Sequence, residues 1–511
     1  MTRAGDRTSE THDRSTAAIR LVGVATFGLL ATLGCGRGQS SGTVEPTPGP
    51  LDTPIAHAAT VTSAEPSGAV SGAPVASAAA SEEPEPAPPP LPSVRPSTTT
   101  LRPPSVNKEQ WKRVFDTYGH LLDIDFRLDE LHRQYPTKTR LYSLATTHEG
   151  RRVTAMMIAD RPAKATSRPS MLLNGAHHGD EPLSSDIVLD AIETMLAKSD
   201  SDPKIQRYLS ELQIWCVPMV NPDGFATFMA DFGAGRKNGR ETRKVPRAGT
   251  LNQKGVDLNR NYPFKWGSLR EEGSTRNPER RNYRGPEPGS EPETKGMMAL
   301  SEAQHFVGSI SYHIGTVALL APYTVDHVPP PAPNEAWLVA EDIVRGVNPD
   351  KLKKLYVRQK LYPVDGADQD YFRGTQGTVA LLFESAHRSW ETPVPRQDSL
   401  DAMRPAWGIL FDRYLDGPSV EGRVKDESGA PVSAEVRIVE VQTNAGEVWK
   451  SRCPDGFFGR YLPGFGKYTV RVVPDGGAPI DKVIEVATGS GRAKVEIVVP
   501  AGRGACGGSA K

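Results

Sequence analysis

Three short apolar runs, each closing on a residue with a lone pair to offer, constrain the fold of this chain more than any other feature. Met171-Leu172-Leu173 leads into Asn174-Gly175-Ala176-His177-His178-Gly179-Asp180-Glu181. Phe306-Val307-Gly308-Ser309-Ile310-Ser311-Tyr312 stops at His313, and Thr378-Val379-Ala380-Leu381-Leu382-Phe383 stops at Glu384. Runs of this length read as buried strands. After the first, small residues let the backbone turn sharply. Three strand ends that bring His, His and Glu to one sheet edge mark the expected active-site crevice of an α/β fold.

The residue types at those ends suit a cation. His178 and Glu181 lie three apart on one turn, so an imidazole and a carboxylate can converge on a metal from the same side. His313 offers a third ligand. Zinc accepts mixed nitrogen and oxygen donors, and a catalytic zinc keeps three protein ligands and one open position. His177 competes with His178 for the metal. A lone His-x-x-Glu is common by chance, so the weight falls on its company, including Gly255-Val256-Asp257-Leu258-Asn259-Arg260-Asn261-Tyr262-Pro263.

Composition limits the rest. The formal net charge of +0 gives no electrostatic case for a nucleic-acid partner. Fifteen of the 45 prolines fall in 36–104, a stretch with no Phe, Tyr or Trp. It cannot build a core and reads as a disordered Pro/Ala/Ser-rich linker. Ahead of it, residues 1–35 read as a signal peptide. A polar stretch with Arg3, Arg7, Arg14 and Arg20 precedes the apolar Leu21 to Gly34, too short to span a bilayer comfortably. It resembles a bacterial lipoprotein signal, which implies cleavage before Cys35, a lipid on its sulfur and a place in the cell envelope. Thr32 departs from that pattern, and an ordinary cleaved signal with secretion, or an uncleaved anchor, are the alternatives.

Alternating helix and strand patterns over 105–416 indicate a mixed sheet covered on both faces. Trp111, Phe115 and Tyr118 open an amphipathic helical region that continues through Phe126 to Leu131. Strands are expected at Arg140 to Leu144, Arg152 to Ile158 and Leu212 to Val217, and a helix at Leu183 to Ala197. Ala226 to Lys254 and Gly267 to Pro286 read as long loops. From 417 to 500, alternating runs between turn signals indicate a small all-β sandwich, followed by a flexible tail, 501–511. Cys216 reads as a buried apolar residue. Cys453 and Cys506 can pair in an oxidising compartment or stay as free thiols.

Between Asn107 and Asp416 the chain resembles the zinc carboxypeptidases of the A/B and D/E type. The resemblance rests on His178-x-x-Glu181, Asn221-Pro222-Asp223-Gly224, Asp257-Leu258-Asn259-Arg260-Asn261, Tyr283-Arg284-Gly285-Pro286, Ser290-Glu291-Pro292-Glu293-Thr294, Ser311-Tyr312-His313, Tyr362 and Glu384, in family order. It implies one zinc per chain on His178, Glu181 and His313, with Glu384 as general base. It implies Asn259 and Arg260 as the clamp on a substrate carboxylate and Tyr362 as the residue closing over it. Arg236 would face the developing oxyanion, with Arg240 as substitute. Ser311, Leu320, Thr324, Val364, Gln369 and Leu382 would surround the terminal side chain. None is acidic, so a strong preference for terminal Lys or Arg is not implied, although Asp365 and Asp368 stand near.

Asp180 stands where digestive members carry arginine, as in bacterial members, some of which trim cell-wall peptides. The β-sandwich resembles the transthyretin-like domain of the D/E type. The expected function is zinc-dependent hydrolysis at peptide C-termini. The rival readings are a murein-peptide amidase, an acyl-amino-acid deacylase and a non-catalytic surface binding protein.

Overall fold

The computed structural model describes residues 108–230, 234–241, 254–347, 355–387, 396–453, 455–502, 504 and 506. The expectations for the signal peptide, Cys35 and the linker to residue 104 lie outside the described residues, as does most of the tail.

Eight strands form one mixed sheet: β1 (Thr139–Thr146), β2 (Arg152–Ile158), β3 (Ser170–Gly175), β4 (Gln213–Val217), β5 (Gly308–Gly315), β6 (Val317–Leu320), β7 (Val357–Arg358) and β8 (Val379–His387). Their order is β1-β2-β4-β3-β5-β8-β6-β7. The central strands β4, β3, β5 and β8 run parallel to one another, while β1 with β2, β2 with β4 and β6 with β8 pair antiparallel. Nine helices accompany them among the described residues: α1 (Lys108–Tyr118), α2 (Ile124–Gln134), α3 (Pro182–Ala197), α4 (Pro203–Glu211), α5 (Pro222–Ala230), α6 (Pro292–Gln304), α7 (Glu335–Gly346), α8 (Asp368–Gln376) and α9 (Arg396–Leu415).

The apolar runs are continuous because both sheet faces are covered. Met171 and Leu173 of β3 enter a core with α3, α7 and α9, and Leu172 between them enters a second core with α6 and α8. Val379, Leu381 and Phe383 of β8 point to the first core and Ala380 to the second. The expected strands are present: Arg152 to Ile158 coincides with β2, and the ends of the others differ by up to four residues. The stretch from Ala226 does not begin as a loop: α5 runs to Ala230. Phe225, Phe228 and Met229 bury in the first core, and that apolar spacing overrides the nearby glycines.

Helix α9 ends at Leu415, and six further strands begin at Ser419: β9 (Ser419–Asp426), β10 (Glu435–Ile438), β11 (Phe457–Tyr461), β12 (Gly466–Val473), β13 (Ile480–Val486) and β14 (Ala493–Val499). They make two three-stranded sheets, β10-β12-β13 and β11-β9-β14. Val420, Val424 and Ile497 of one meet Val436, Val470 and Val472 of the other. Strand β13 alternates little, because Asp481, Lys482 and Val483 are all exposed. Cys453 and Cys506 form a disulfide, and Cys216 is buried in β4.

Arg452 locks this small domain to the large one. Fully buried, it donates to the carbonyl of Gln304 at 3.0 Å and that of Thr166 at 3.3 Å, and its charge is met by Asp455 at 2.7 Å. Tyr461 donates to the carbonyl of Leu410 at 2.9 Å. Among the described residues no helix is long and apolar enough to cross a membrane.

Candidate metal and substrate site

The turn after β3 carries the first two ligands. Ala176 adopts a left-handed φ of 54°, and Ser184 Oγ accepts its N–H at 3.0 Å. Gly179 has no space for a side chain, because a Cβ there would lie 2.1 Å from the Gly224 backbone at the start of α5. Asn221 secures that contact by donating to the carbonyl of His177 and accepting from Gly224 N–H. Pro182 opens α3, where a missing N–H is tolerated. Glu181 precedes it without capping the helix, so its carboxylate turns to the site.

Both oxygens of Glu181 are taken by imidazoles. His178 Nδ1 lies 2.8 Å from Oε1 and His313 Nδ1 3.0 Å from Oε2. Ligand atoms of the three residues lie within 4.8 Å of one another, all buried. Burial works against the Glu181 charge, yet the two imidazoles hold its carboxyl well below the usual range. The far nitrogen of His178 is 3.1 Å from Asp257 Oδ1. A carboxylate behind a ligating imidazole fixes its orientation and frees the other nitrogen for a cation. Two Nδ1 atoms and a carboxylate aimed at one point are a donor set that fits zinc.

Asp257 is the functional residue that sequence reasoning missed. It lay within the family motif but carried no expected role. It is buried, and Arg236 donates to its Oδ2 from Nε at 2.9 Å and Nη2 at 2.8 Å. Burial opposes its charge, and Arg236, Arg260 and His178 outweigh that and keep it ionised. Arg236 Nη1 also stands 3.7 Å from Glu181 Oε1. Arg236 therefore lies beside the ligands and braces them, whereas Arg240 turns away to Glu291.

Glu384 faces the ligands because β8 pairs with β5 in register, His313 opposite Glu384. Gly315, two residues beyond His313, leaves room for it: a Cβ there would approach Glu384 Oε2 to 3.2 Å. A cavity opens in front, lined by His178, His313, Glu384, Asn259, Arg260 and Tyr362. Arg260 is 4% exposed. Its Nη1 donates to the carbonyl of Asn259 at 2.6 Å, and its buried Nε has no hydrogen-bond partner among the described residues. Asn259 Oδ1 accepts the N–H of Asp368 at 2.8 Å, tying the clamp to α8. Tyr362 is 51% exposed at the mouth.

Leu320, Thr324, Val364, Gln369 and Leu382 line the same cavity. Ser311 is buried and is not among the lining residues. Nor are Asp365, bonded to Leu269 N–H and Ser274, and Asp368, bonded to Asn174. His177 is not among the three residues whose ligand atoms converge. Its Nε2 meets Tyr262 Oη at 2.9 Å, and burial pushes its pKa down to about 4. Asp180 pairs with Arg281 at 3.3 Å.

Behind the site, Asn238 holds the Arg236 segment. Its amide donates to Glu291 at 2.9 Å and Glu293 at 3.1 Å, and its oxygen accepts Val256 N–H at 2.9 Å. Burial, with the charges of Glu291 and Asp223, pushes the Glu293 carboxyl up to about 7. An acid raised on folding contributes most stability below its unfolded pKa and loses it as pH climbs to the folded value. Glu293→Gln keeps the acceptor for Asn238 and removes that loss. Thermal unfolding at about pH 8 should show a gain of about 1–3 kcal/mol, shrinking toward pH 5. Equal effects at both pH values would exclude a buried ionisation.

The sheet and its edge define an α/β protein with three converging candidate metal ligands beside a pocket lined by the Arg260 guanidinium. The zinc carboxypeptidase family model matches residues 124–398. The chain belongs to the zinc carboxypeptidase family. It is similar to carboxypeptidase D of Mus musculus, 27% identical over 207 residues, covering 40% of this chain and 13% of that protein. It is also similar to metallocarboxypeptidase A of Trichophyton tonsurans, 26% identical over 265 residues, covering 50% of this chain and 60% of that one. The chain thus spans less than two thirds of either relative. Among solved structures, thrombin activatable fibrinolysis inhibitor shares the fold at 19% identity and a TM-score of 0.51, over 57% of this chain and 73% of that one.

Proposed function

We propose that this protein is a zinc-dependent carboxypeptidase that hydrolyses the last peptide bond of chains ending in a free carboxylate. One observation carries the reading: Arg260, buried and with an Nε unpartnered among the described residues, lines the same cavity as His178, His313 and Glu384. His178, Glu181 and His313 would hold one zinc ion per chain, which would supply a Lewis acid and lower the pKa of water toward neutrality. Glu384 takes the proton of the attacking water and returns it to the leaving amine. Arg260 and Asn259 grip the terminal carboxylate through charge-assisted hydrogen bonds. Tyr362 closes over the bound end. The Arg236 charge, beside the ligands, offsets negative charge developing on the scissile carbonyl oxygen. The terminal side chain enters among Leu320, Thr324, Val364, Gln369 and Leu382.

We further propose export, with Cys35 lipidated and the enzyme held at the cell envelope. The Cys453–Cys506 disulfide supports an oxidising compartment.

Capping a substrate as its C-terminal amide removes the charge that Arg260 binds. Losing a hydrogen bond to a charged group costs about 1.5–3 kcal/mol, so kcat/KM should fall roughly 10- to 150-fold on the capped peptide. Chromatography of paired capped and free digests reads the ratio. Equal rates would exclude an exopeptidase.

A further inference from the structure

The small β domain reaches the pocket that takes the terminal side chain. Its segment between β10 and β11 runs beside residues 322–332 of the large domain. Ala332 and Gln442 exchange two backbone hydrogen bonds, at 2.9 and 2.8 Å, and Asn444 donates to the carbonyl of Pro330 at 2.8 Å. At the end of this contact the fully buried Tyr323 donates its hydroxyl to Glu447 Oε1 at 2.8 Å. Glu447 is itself fixed, because its other oxygen accepts Ala445 N–H at 2.7 Å. The Tyr323 ring stacks on Phe264 with centroids 5.0 Å apart. Both faces of this residue's position are thus set, one by the large domain and one by the small.

Tyr323 immediately precedes Thr324, which lines the cavity. Thr324 is held from the other side by Asp370, which accepts its N–H at 2.8 Å and its hydroxyl at 2.7 Å. Gln369 Nε2 donates to Thr324 Oγ1 at 2.9 Å, so these two lining residues position each other. The small domain also supports the helix that carries Gln369. Trp449 packs against Gly377 at the end of α8, where a Cβ would come within 2.7 Å of the indole, and Arg373 of α8 lies over the indole at 4.6 Å. A single side chain of the β domain therefore abuts each of the two elements that supply Thr324 and Gln369.

We propose that Glu447 and Tyr323 are positioning residues for terminal-residue selectivity, and that the β domain acts through them on the Thr324–Gln369 wall. The proposal rests on the carboxypeptidase reading. A buried hydroxyl with one acceptor, supplied by a separate domain, fixes where the next residue stands. Selectivity in such a pocket is sensitive to small shifts: one methylene's worth of fit changes kcat/KM about 10- to 200-fold. Among the described residues neither side chain hydrogen-bonds to the candidate metal ligands, Glu384 or Arg260, so the chemical step is left intact.

The test uses the whole chain and a set of peptides identical except for a terminal Ala, Leu, Phe, Gln or Lys. Tyr323→Phe removes only the hydroxyl, and Glu447→Ala removes its acceptor. Val448→Ala, at an exposed position on the same segment, is the control. The ratio of kcat/KM for the preferred terminal residue to that for alanine should fall about tenfold in either variant, carried by KM. The double variant should fall no further than one single variant, because both lose the same bond. Val448→Ala should keep the parent ratio. If Tyr323→Phe and Glu447→Ala lower the melting temperature but leave the ratio unchanged, the bond is only structural and the proposal is overturned. A parent protein inert on every peptide removes the carboxypeptidase reading and this inference together. An active parent with an unmoved ratio removes this inference alone.

Discussion

Glu384→Gln lowers turnover about a thousandfold, within the span typical of a positioned acid–base group, while the protein keeps its zinc. The amide has the same shape but cannot take a proton from water or return one to the amine. Glu384 is not one of the three residues whose ligand atoms converge, so its replacement leaves the donor set whole. Its backbone stays in place because β8 is paired to β5 along its length, with His313 opposite. Near-normal binding of the substrate is also expected, since Arg260 and Asn259 keep their own hydrogen bonds. The effect therefore falls on kcat with KM little changed, the pattern of an interaction made only in the transition state. Steady-state kinetics beside metal analysis by atomic emission decides it. Wild-type turnover in this variant would show that another group moves the proton.

The strand ends were legible because each is an apolar run that stops abruptly at a polar residue, and burial on both sheet faces produces such runs. His178, Glu181, His313 and Glu384 could be read from where those runs stop. Choosing His178 over His177 needed the family pattern, and the structure supplies the cause: His177 is claimed by Tyr262, next to Asp368. Asp257 was less legible. Its role depends on contacts across 79 residues to His178 and 21 to Arg236, and no local spacing encodes either. The same holds for Arg236, which the sequence placed on a loop. Only the fold shows that the loop is pinned by Asn238 to Glu291 and Glu293 at the start of α6. The β domain is the extreme case. Its alternating strands announced a sandwich, but the reach of Glu447 to Tyr323 spans 124 residues and two domains. Periodicity reports which face of a segment is buried, and it is silent on what lies against that face.

Removal of the metal abolishes turnover and lowers the melting temperature, with the fold retained. Zinc binds the three ligands as arranged in the native state, so it stabilises that state by mass action: about 4 kcal/mol when free metal exceeds the dissociation constant a thousandfold. For a domain of this size that corresponds to a loss of several degrees on chelation. Unfolding at ambient temperature is not expected. Without the ion, Glu181 is still met by both imidazoles and by the N–H of Ile314 at 3.2 Å, and Asp257 still carries Arg236. Far-ultraviolet circular dichroism of the chelated protein should therefore match that of the parent. His313→Ala separates metal binding from other effects of the chelator. This variant should hold little zinc, and its melting temperature should no longer respond to added metal. A parent whose melting temperature and activity both ignore chelation would mean that the three side chains converge for packing alone. Glu181 would then be a buried carboxylate shared by two imidazoles, and Glu384 would have no activated water beside it.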